Sequence, residues 1–387
     1  MLTTLAVHGY RSLRDVVLPL SGLTVVTGPN GSGKSSLYQA FRLLAGTASN
    51  GLVGSLAAAG GLQSVLWAGP ETLSGAMRRG EVAVQGTTRR GPVSLQMGFA
   101  GDGFGYLVDV GLPPPRRGTM FDRDPELKRE LLWSGPVMRP AALLVERRGA
   151  TVKVRGDAGW SEVTSGLSTR ESVLAQVNDP REYPELAAVR AQVAAWRFHD
   201  HIRTDPDAPA RRPQVGTWSP LLDHTGDNLA SALQTILESA YADELTSAID
   251  QAFPGSRVEI TETDGWFGIE LTQPGMLRPM VGRDLSDGTL RFLGLAAALL
   301  SPSPPPLLVL NEPETSLHPE VVPAVAALVA AAARRTQVVV VTHAMALAQA
   351  LDGEDGCLWH ELVKDTGETR VVDQGLLTRP RWEWGRR

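Results

Sequence analysis

A glycine-rich loop near the start of this chain and a short acidic strand near its end need each other, and most of the sequence lies between them. The loop reads Gly28-Pro29-Asn30-Gly31-Ser32-Gly33-Lys34-Ser35, and the strand reads Leu307-Leu308-Val309-Leu310-Asn311-Glu312. A fold that uses both must return to its starting sheet after a long excursion. The excursion is therefore expected to be a lobe with an insertion.

The loop fits the pattern G-x-x-x-x-G-K-[ST] without a gap. Thr24-Val25-Val26-Thr27 ahead of it reads as a buried strand, and residues 36–44 behind it carry apolar side chains at helical spacing. Glycines let the backbone N–H groups of Asn30, Gly31, Ser32 and Gly33 curl around phosphate oxygens, and the helix N-terminus adds a favourable dipole. Lys34 would reach the β- and γ-phosphates of ATP, the Ser35 hydroxyl would ligate Mg²⁺, and Ser36 follows in the same turn.

The chain is long enough for about two domains with a sizeable core. A formal charge of -5 argues against a generally basic nucleic-acid binder, though it leaves room for a local patch. The single cysteine, Cys357, excludes an internal disulfide and fits a reducing compartment. Arg11 and Arg14 interrupt the N-terminus before any signal-like apolar stretch. The longest apolar runs, 292–300 and 321–333, fall short of the roughly 20 residues that a spanning helix needs. A cytoplasmic protein with no membrane partner is expected.

Residues 2–7 and 16–20 read as paired strands. Short alternating runs then recur at 81–85, 93–97 and 106–110, separated by Gly91-Pro92 and Gly101-Asp102-Gly103, which predicts an antiparallel sheet. The Pro-rich run at 112–118 marks a boundary. Helical stretches are expected near 170–177 and 184–198, a loop at 204–220, and a helix from Gly226-Asp227-Asn228 to about Ser239. Residues 258–262 and 266–271, joined through Asp264-Gly265, predict a hairpin. No heptads are sustained long enough for coiled-coil arms.

A second constellation narrows the class. Leu285-Ser286-Asp287-Gly288-Thr289 precedes an apolar helix, the strand 307–310 ends in Asn311-Glu312-Pro313-Glu314, and Val338-Val339-Val340-Val341 ends in Thr342-His343. That order resembles the ABC-type ATPases: P-loop, LSGGQ-like signature, Walker B strand, then a switch histidine. Gly9-Tyr10-Arg11-Ser12-Leu13, Asp227-Asn228-Leu229-Ala230 and the run from Asn311 to Pro319 resemble more narrowly the RecF/SMC-like branch, in particular the compact RecF-like predicted ATPases known as AAA_21. The resemblance implies an α/β P-loop NTPase of ABC-ATPase type with an antiparallel β lobe and an inserted α-rich region. The ATPase domain would span 1–115 and 220–387, and the insertion 116–219.

The resemblance also implies a homodimer that sandwiches two ATP molecules, each loop facing the signature of the second copy. Ser286 and Gly288 would grip the γ-phosphate across that interface, Glu312 would deprotonate the attacking water, and His343 would sense the γ-phosphate. Arg11 and Ser12 would lie near the phosphates. Gln63 is the candidate for the glutamine that links Mg²⁺ to the lobe, with Gln96 as rival. Asn311 stands where most P-loop ATPases carry the Mg²⁺-side aspartate. Its amide oxygen accepts from a metal-bound water but lacks the charge that favours the cation, so weaker Mg²⁺ binding and slow turnover are expected. Asp287 replaces a signature glycine, and a helix-capping role is expected for it.

OLD-family nucleases share this kind of ATPase and append a Toprim domain. The stretch after His343 is too short for one, so a separately encoded effector is the expected alternative to a nuclease in the same chain. DNA is a partner at the level of the family. Arg116-Arg117, Arg147-Arg148, Arg211-Arg212 and the tail Arg379-Pro380-Arg381-Trp382-Glu383-Trp384-Gly385-Arg386-Arg387 are the basic candidates for it. Two other readings stay open: a regulatory ATPase that switches a partner protein, and the nucleotide-binding subunit of a transporter.

Overall fold

The computed structural model describes residues 1–70, 75–78, 81, 92–114, 118–177, 179–200, 202–375 and 377–385. Of the run expected at 81–85, all but Glu81 lies outside these residues, as do Arg116-Arg117 and Arg386-Arg387.

In chain order the strands are β1 (Leu2–Tyr10), β2 (Leu13–Pro19) and β3 (Leu23–Thr27), followed by β4 (Leu95–Gly101), β5 (Phe104–Gly111), β6 (Glu126–Ser134), β7 (Leu143–Arg148), β8 (Thr151–Gly156) and β9 (Gly159–Thr164). Then come β10 (Arg197–His199), β11 (Gln214–Val215), β12 (Arg257–Thr263), β13 (Trp266–Thr272) and β14 (Met280–Val281). The series ends with β15 (Leu307–Asn311), β16 (Gln337–Val341), β17 (Cys357–Asp365) and β18 (Glu368–Val371). The chain forms two compact units. The first comprises Met1–Ser21, Gly28–Trp196 and His360–Arg387; the second comprises Gly22–Thr27 and Arg197–Trp359.

The first unit is built on an eight-stranded antiparallel sheet in the order β2-β1-β4-β5-β6-β7-β8-β9. The segment expected to be α-rich has helices at Val173–Gln176 and Pro184–Ala194, yet its first half adds four strands to this sheet. The reason is visible in β6. Its alternation of apolar and polar residues is broken by Arg129 and Glu130, which look like surface residues in a sequence and are buried here. Glu130 receives Arg147 Nη1 at 2.5 Å, the Tyr106 hydroxyl at 2.5 Å, the Ser172 hydroxyl at 2.6 Å and the Val173 amide at 3.0 Å. Both members of the Glu130–Arg147 pair are fully buried. Arg147 also donates to the carbonyls of Glu171, Ser168 and Gly149. A pair so placed is tolerable only because hydrogen bonds occupy both ends.

The second unit holds a parallel sheet, β10-β15-β16-β3. Leu307-Leu308-Val309-Leu310 and Val338-Val339-Val340-Val341 are buried throughout, as strands of a parallel sheet covered on both faces must be. The helices Asp287–Leu299 and Val322–Ala333 supply much of the apolar core around them. The hairpin β12–β13 turns at Asp264-Gly265, whose φ values of 52° and 82° are both left-handed, as a tight two-residue turn requires. Among the described residues no helix is long and apolar enough to cross a membrane.

Candidate nucleotide site

In the first unit, the loop after Thr27 leads into the helix Lys34–Gly46. Gly28 and Gly33 have φ of 147° and 110°, and a Cβ on either would strike a neighbour: the Leu362 carbonyl for Gly28 and the Thr369 hydroxyl for Gly33. Those two positions therefore require glycine. Lys34 is buried, and its Nζ donates to the carbonyls of Gly28 at 2.6 Å and Pro29 at 3.2 Å. Asn30, Gly31 and Ser35 are exposed; Ser32 and Ser36 are buried, and the Ser32 hydroxyl has no protein partner. A glycine-rich loop at a helix N-terminus with one orphaned hydroxyl is suited to an anion.

Ser12 does stand against this loop. Thr369 Oγ1 donates to the Ser32 carbonyl at 2.6 Å and is hydrogen-bonded with Ser12 Oγ at 2.8 Å, while the Thr369 amide donates to the Ser12 carbonyl. Thr369, on β18, is thus a supporting residue that nothing in its sequence neighbourhood signals. Arg11 lies in the β1–β2 turn, exposed, with its guanidinium 5.4 Å from the Tyr10 ring centroid. Gln63 is exposed on the short helix Leu62–Val65, whereas its rival Gln96 is buried and donates to Asp109 at 3.0 Å.

In the second unit, strand register sets the chemistry. Asn311 pairs with Val341 and Val341 with Val26, so β15, β16 and β3 end level with one another. Glu312 and His343 follow those ends directly. Glu312 has φ of 50°, which is uncommon outside glycine, and its amide donates to the Val341 carbonyl at 2.7 Å. Backbone strain of this kind costs about 1–3 kcal/mol and concentrates at working sites.

His343 Nδ1 lies 3.5 Å from Glu312 Oε1 and 3.4 Å from Glu314 Oε1. Glu314 is buried and accepts the Thr342 hydroxyl at 2.6 Å and the Ala344 amide at 3.3 Å, which pins the loop that carries His343. Glu314 is a functional residue that the sequence signals only by its place in Asn311-Glu312-Pro313-Glu314. Asn311 Oδ1 is buried without a protein partner, so its lone pairs fit a donor such as a metal-bound water.

A small cavity beside Glu312 is lined by His199, Asp200, His224, Arg291 and Thr315. β10 runs parallel to β15 with His199 opposite Leu310, so the chain leaves β10 at Asp200, level with Asn311. Burial, then the neighbouring His224 and Arg197, push His199 down to about 4, so its imidazole is neutral at neutral pH. These residues escape a sequence reading because a three-residue strand has no pattern to detect.

The signature helix Asp287–Leu299 corrects one expectation. Its N-cap is Ser286, whose Oγ accepts from the Thr289 amide at 3.1 Å; Asp287 is the first helical residue and pairs with Arg211 at 2.6 Å. A serine hydroxyl reaches the third amide from the cap position, and a residue one place further on does not. Among the described residues most of the basic candidates are engaged. Arg147 is buried with Glu130, while Arg148, Arg212 and Arg379 pair with Glu146, Asp207 and Asp15. Trp382 packs against Trp133 and Trp384, and Trp384 Nε1 donates to Asp15. Burial pushes the Cys357 thiol up to about 11, with Asp352 and Glu354 adding to the effect, which leaves it protonated and a poor nucleophile.

Comparison with known proteins bears on both units. The family described as "AAA domain, putative AbiEii toxin, Type IV TA system" matches residues 172–348, and a family described as "AAA domain" matches residues 4–57. An OLD nuclease of Thermus scotoductus is 46% identical over 46 residues, which is 12% of this chain and 9% of that protein. Among solved structures, an SMC head bound to the C-winged helix domain of ScpA covers 97% of this chain and 98% of its own, with a TM-score of 0.51 and 16% identity. An SMC head domain with an extended coiled coil from Pyrococcus furiosus, bound to the C-terminal domain of ScpA, covers 96% and 95%, with a TM-score of 0.49 and 14% identity. At 16% identity, the first of these likenesses is one of fold.

Proposed function

We propose that this chain, an ABC-type ATPase of the RecF/SMC-like kind, binds ATP with Mg²⁺, hydrolyses it slowly as a homodimer in the cytoplasm, and uses that cycle on DNA in repair or in defence against foreign DNA. One observation carries the reading. The level ends of β3, β15 and β16 hold Glu312 and His343 at one edge of the parallel sheet, and β3 leads straight into the phosphate loop.

Asn30, Gly31, Ser32, Gly33, Lys34, Ser35 and Ser36 would take the phosphates, with Arg11 and Ser12 beside them. Ser35 and Asn311 would hold Mg²⁺, with Gln63 the further candidate. The metal supplies charge neutralisation of the phosphate oxygens when bound. Glu312 takes the proton of the attacking water, as a general base within reach of His343. His343 sits on the loop that Glu314 pins through Thr342 and Ala344, with its Nδ1 also 3.4 Å from Glu314 Oε1. Ser286 and Gly288 at a helix N-terminus would complete the site of the second copy. ATP turnover by the purified protein, lost in Lys34→Ala, tests the reading; a wild-type protein that neither binds nor hydrolyses ATP overturns it.

Asn311 sets a quantitative expectation. Replacing its neutral amide with a carboxylate adds a full charge near the cation, so Asn311→Asp should lower the Mg²⁺ needed for half-maximal ATP binding by roughly tenfold. A Mg²⁺ titration of a fluorescent ATP analogue measures it. An unchanged midpoint would remove Asn311 from the metal's surroundings.

A second reading, an ATPase that switches a partner protein, gains from the internal pairing of the arginines. The OLD nuclease likeness supports DNA, and the toxin–antitoxin description of the matching family supports a defence setting with a separately encoded effector. Salt-dependent binding to single- and double-stranded DNA, with and without ATP, separates the two. Negligible binding to either favours the partner protein.

A further inference from the structure

Arg211 uses every arm of its guanidinium to join two stretches of chain, 204–205 and 283–287. Nε donates to the Thr204 carbonyl at 2.9 Å and faces that of Asp205 at 3.2 Å. Nη1 donates to the Leu285 carbonyl at 2.6 Å and the Arg283 carbonyl at 3.2 Å, and Nη2 donates to Asp287 Oδ1 at 2.6 Å. Its side chain is 11% exposed, whereas that of Asp287 is 61% exposed. The loop after β10 is thereby tied to Leu285-Ser286-Asp287, the stretch that caps the signature helix. Asp284 does not compete for Arg211, because Arg278 and Arg283 hold its carboxylate.

The chemistry around Asp287 poses a problem that this clamp solves. A helix N-terminus attracts anions through its free amides and dipole, and a carboxylate at the first helical position cancels part of that attraction. Ser286 Oγ accepts from the Thr289 amide and is hydrogen-bonded with Thr289 Oγ1 at 2.8 Å, so it is turned to its own helix and not to the carboxylate. Among the described residues Arg211 is the side chain that holds the Asp287 carboxylate, and it does so from the flank, with four backbone carbonyls fixing its direction.

We infer that Arg211 is a positioning residue for the signature: it neutralises Asp287 and orients Ser286 and Gly288, so that the helix N-terminus accepts the γ-phosphate of ATP held by a second copy. The inference rests on the sandwich-dimer reading above. Planar guanidinium geometry is what lets one side chain serve the carbonyls and the carboxylate together, which a lysine cannot do. The clamp acts on assembly and leaves loading of the phosphate loop alone.

The test compares full-length variants in the Glu312→Gln background by light scattering against ATP concentration, with binding of a fluorescent ATP analogue to dilute protein as the second measurement. Arg211→Ala should raise the ATP needed for half-maximal dimer by about tenfold or more, while analogue binding stays within about twofold. Asp287→Asn alone should dimerise at least as readily as the parent, and added to Arg211→Ala it should restore much of the lost assembly. Arg211→Gln, which keeps amide donors, stands in if Arg211→Ala melts early. Equal dimerisation of Arg211→Ala and its parent overturns the inference, as does a loss that Asp287→Asn leaves unrelieved, since that marks a purely structural clamp. A parent that stays monomeric with ATP overturns the sandwich reading itself.

Discussion

Glu312→Gln should lower ATP turnover by about 10²–10⁴-fold, the range for removing a positioned general base, without weakening ATP binding. The same protein with ATP should scatter light as a dimer, and with ADP as a monomer. The substitution is conservative where it matters. The backbone of residue 312 is fixed by its amide bond to Val341 and by the Thr315 amide, which donates to its carbonyl, so the glutamine keeps the left-handed conformation. Glu314, and not Glu312, holds Thr342 and Ala344, so the loop bearing His343 remains in place. What is lost is the basicity of one carboxylate. Undiminished turnover would show that another group takes the proton, and a monomer with bound ATP would rule out the composite site.

The largest effect on stability is expected in the first unit, at the buried pair of Glu130 and Arg147. Glu130→Ala should destabilise the first unit by about 3–5 kcal/mol, because it leaves the Arg147 charge buried without its counter-ion. For a unit of this size that corresponds to a melting transition lower by roughly 10 °C, read by calorimetry or circular dichroism. The Tyr106 hydroxyl, the Ser172 hydroxyl and the Val173 amide lose their acceptor in the same step. Replacing both charges, as in Glu130→Leu with Arg147→Met, should recover part of the loss by removing the orphaned guanidinium. Recovery should stay incomplete because those three donors remain unsatisfied. A melting point unchanged in Glu130→Ala would mean that water or a rearranged acceptor reaches Arg147.

The contrast between these two sites explains what the sequence made legible. The phosphate loop was readable because only glycine tolerates the backbone at positions 28 and 33, which ties residue type to geometry. The strands ending at Asn311 and Val341 were readable because continuous aliphatic runs fit a sheet buried on both faces. The β12–β13 hairpin was readable from Asp264-Gly265. Strands β6–β9 were not, because burying Arg129, Glu130 and Arg147 reverses the usual meaning of a charge in an alternating pattern. Arg147 was misread for the same reason, as half of a basic patch. His199 and Asp200 reach Glu312's cavity only through the pairing of β10 with β15, a neighbour relation between residues far apart in the chain. Asp287 was given the cap because spacing alone does not say which of two adjacent polar residues faces the free amides.

The strand β3 has a consequence for synthesis. Leu23–Thr27 is made early, yet its register partner Val338–Val341 in β16 is made more than three-quarters of the chain later. At ribosomal rates of about 5–20 residues per second, the apolar run Thr24-Val25-Val26 waits roughly 15–60 s for the strand that covers it. The first unit waits longer, since its sheet edge and phosphate loop lean on Thr369 and the hairpin β17–β18. A nascent chain of this protein therefore has no finished unit to release part-way. Any transcript cut short before residue 369 should yield a product that captures neither nucleotide nor its own fold, and that passes to chaperones or proteases.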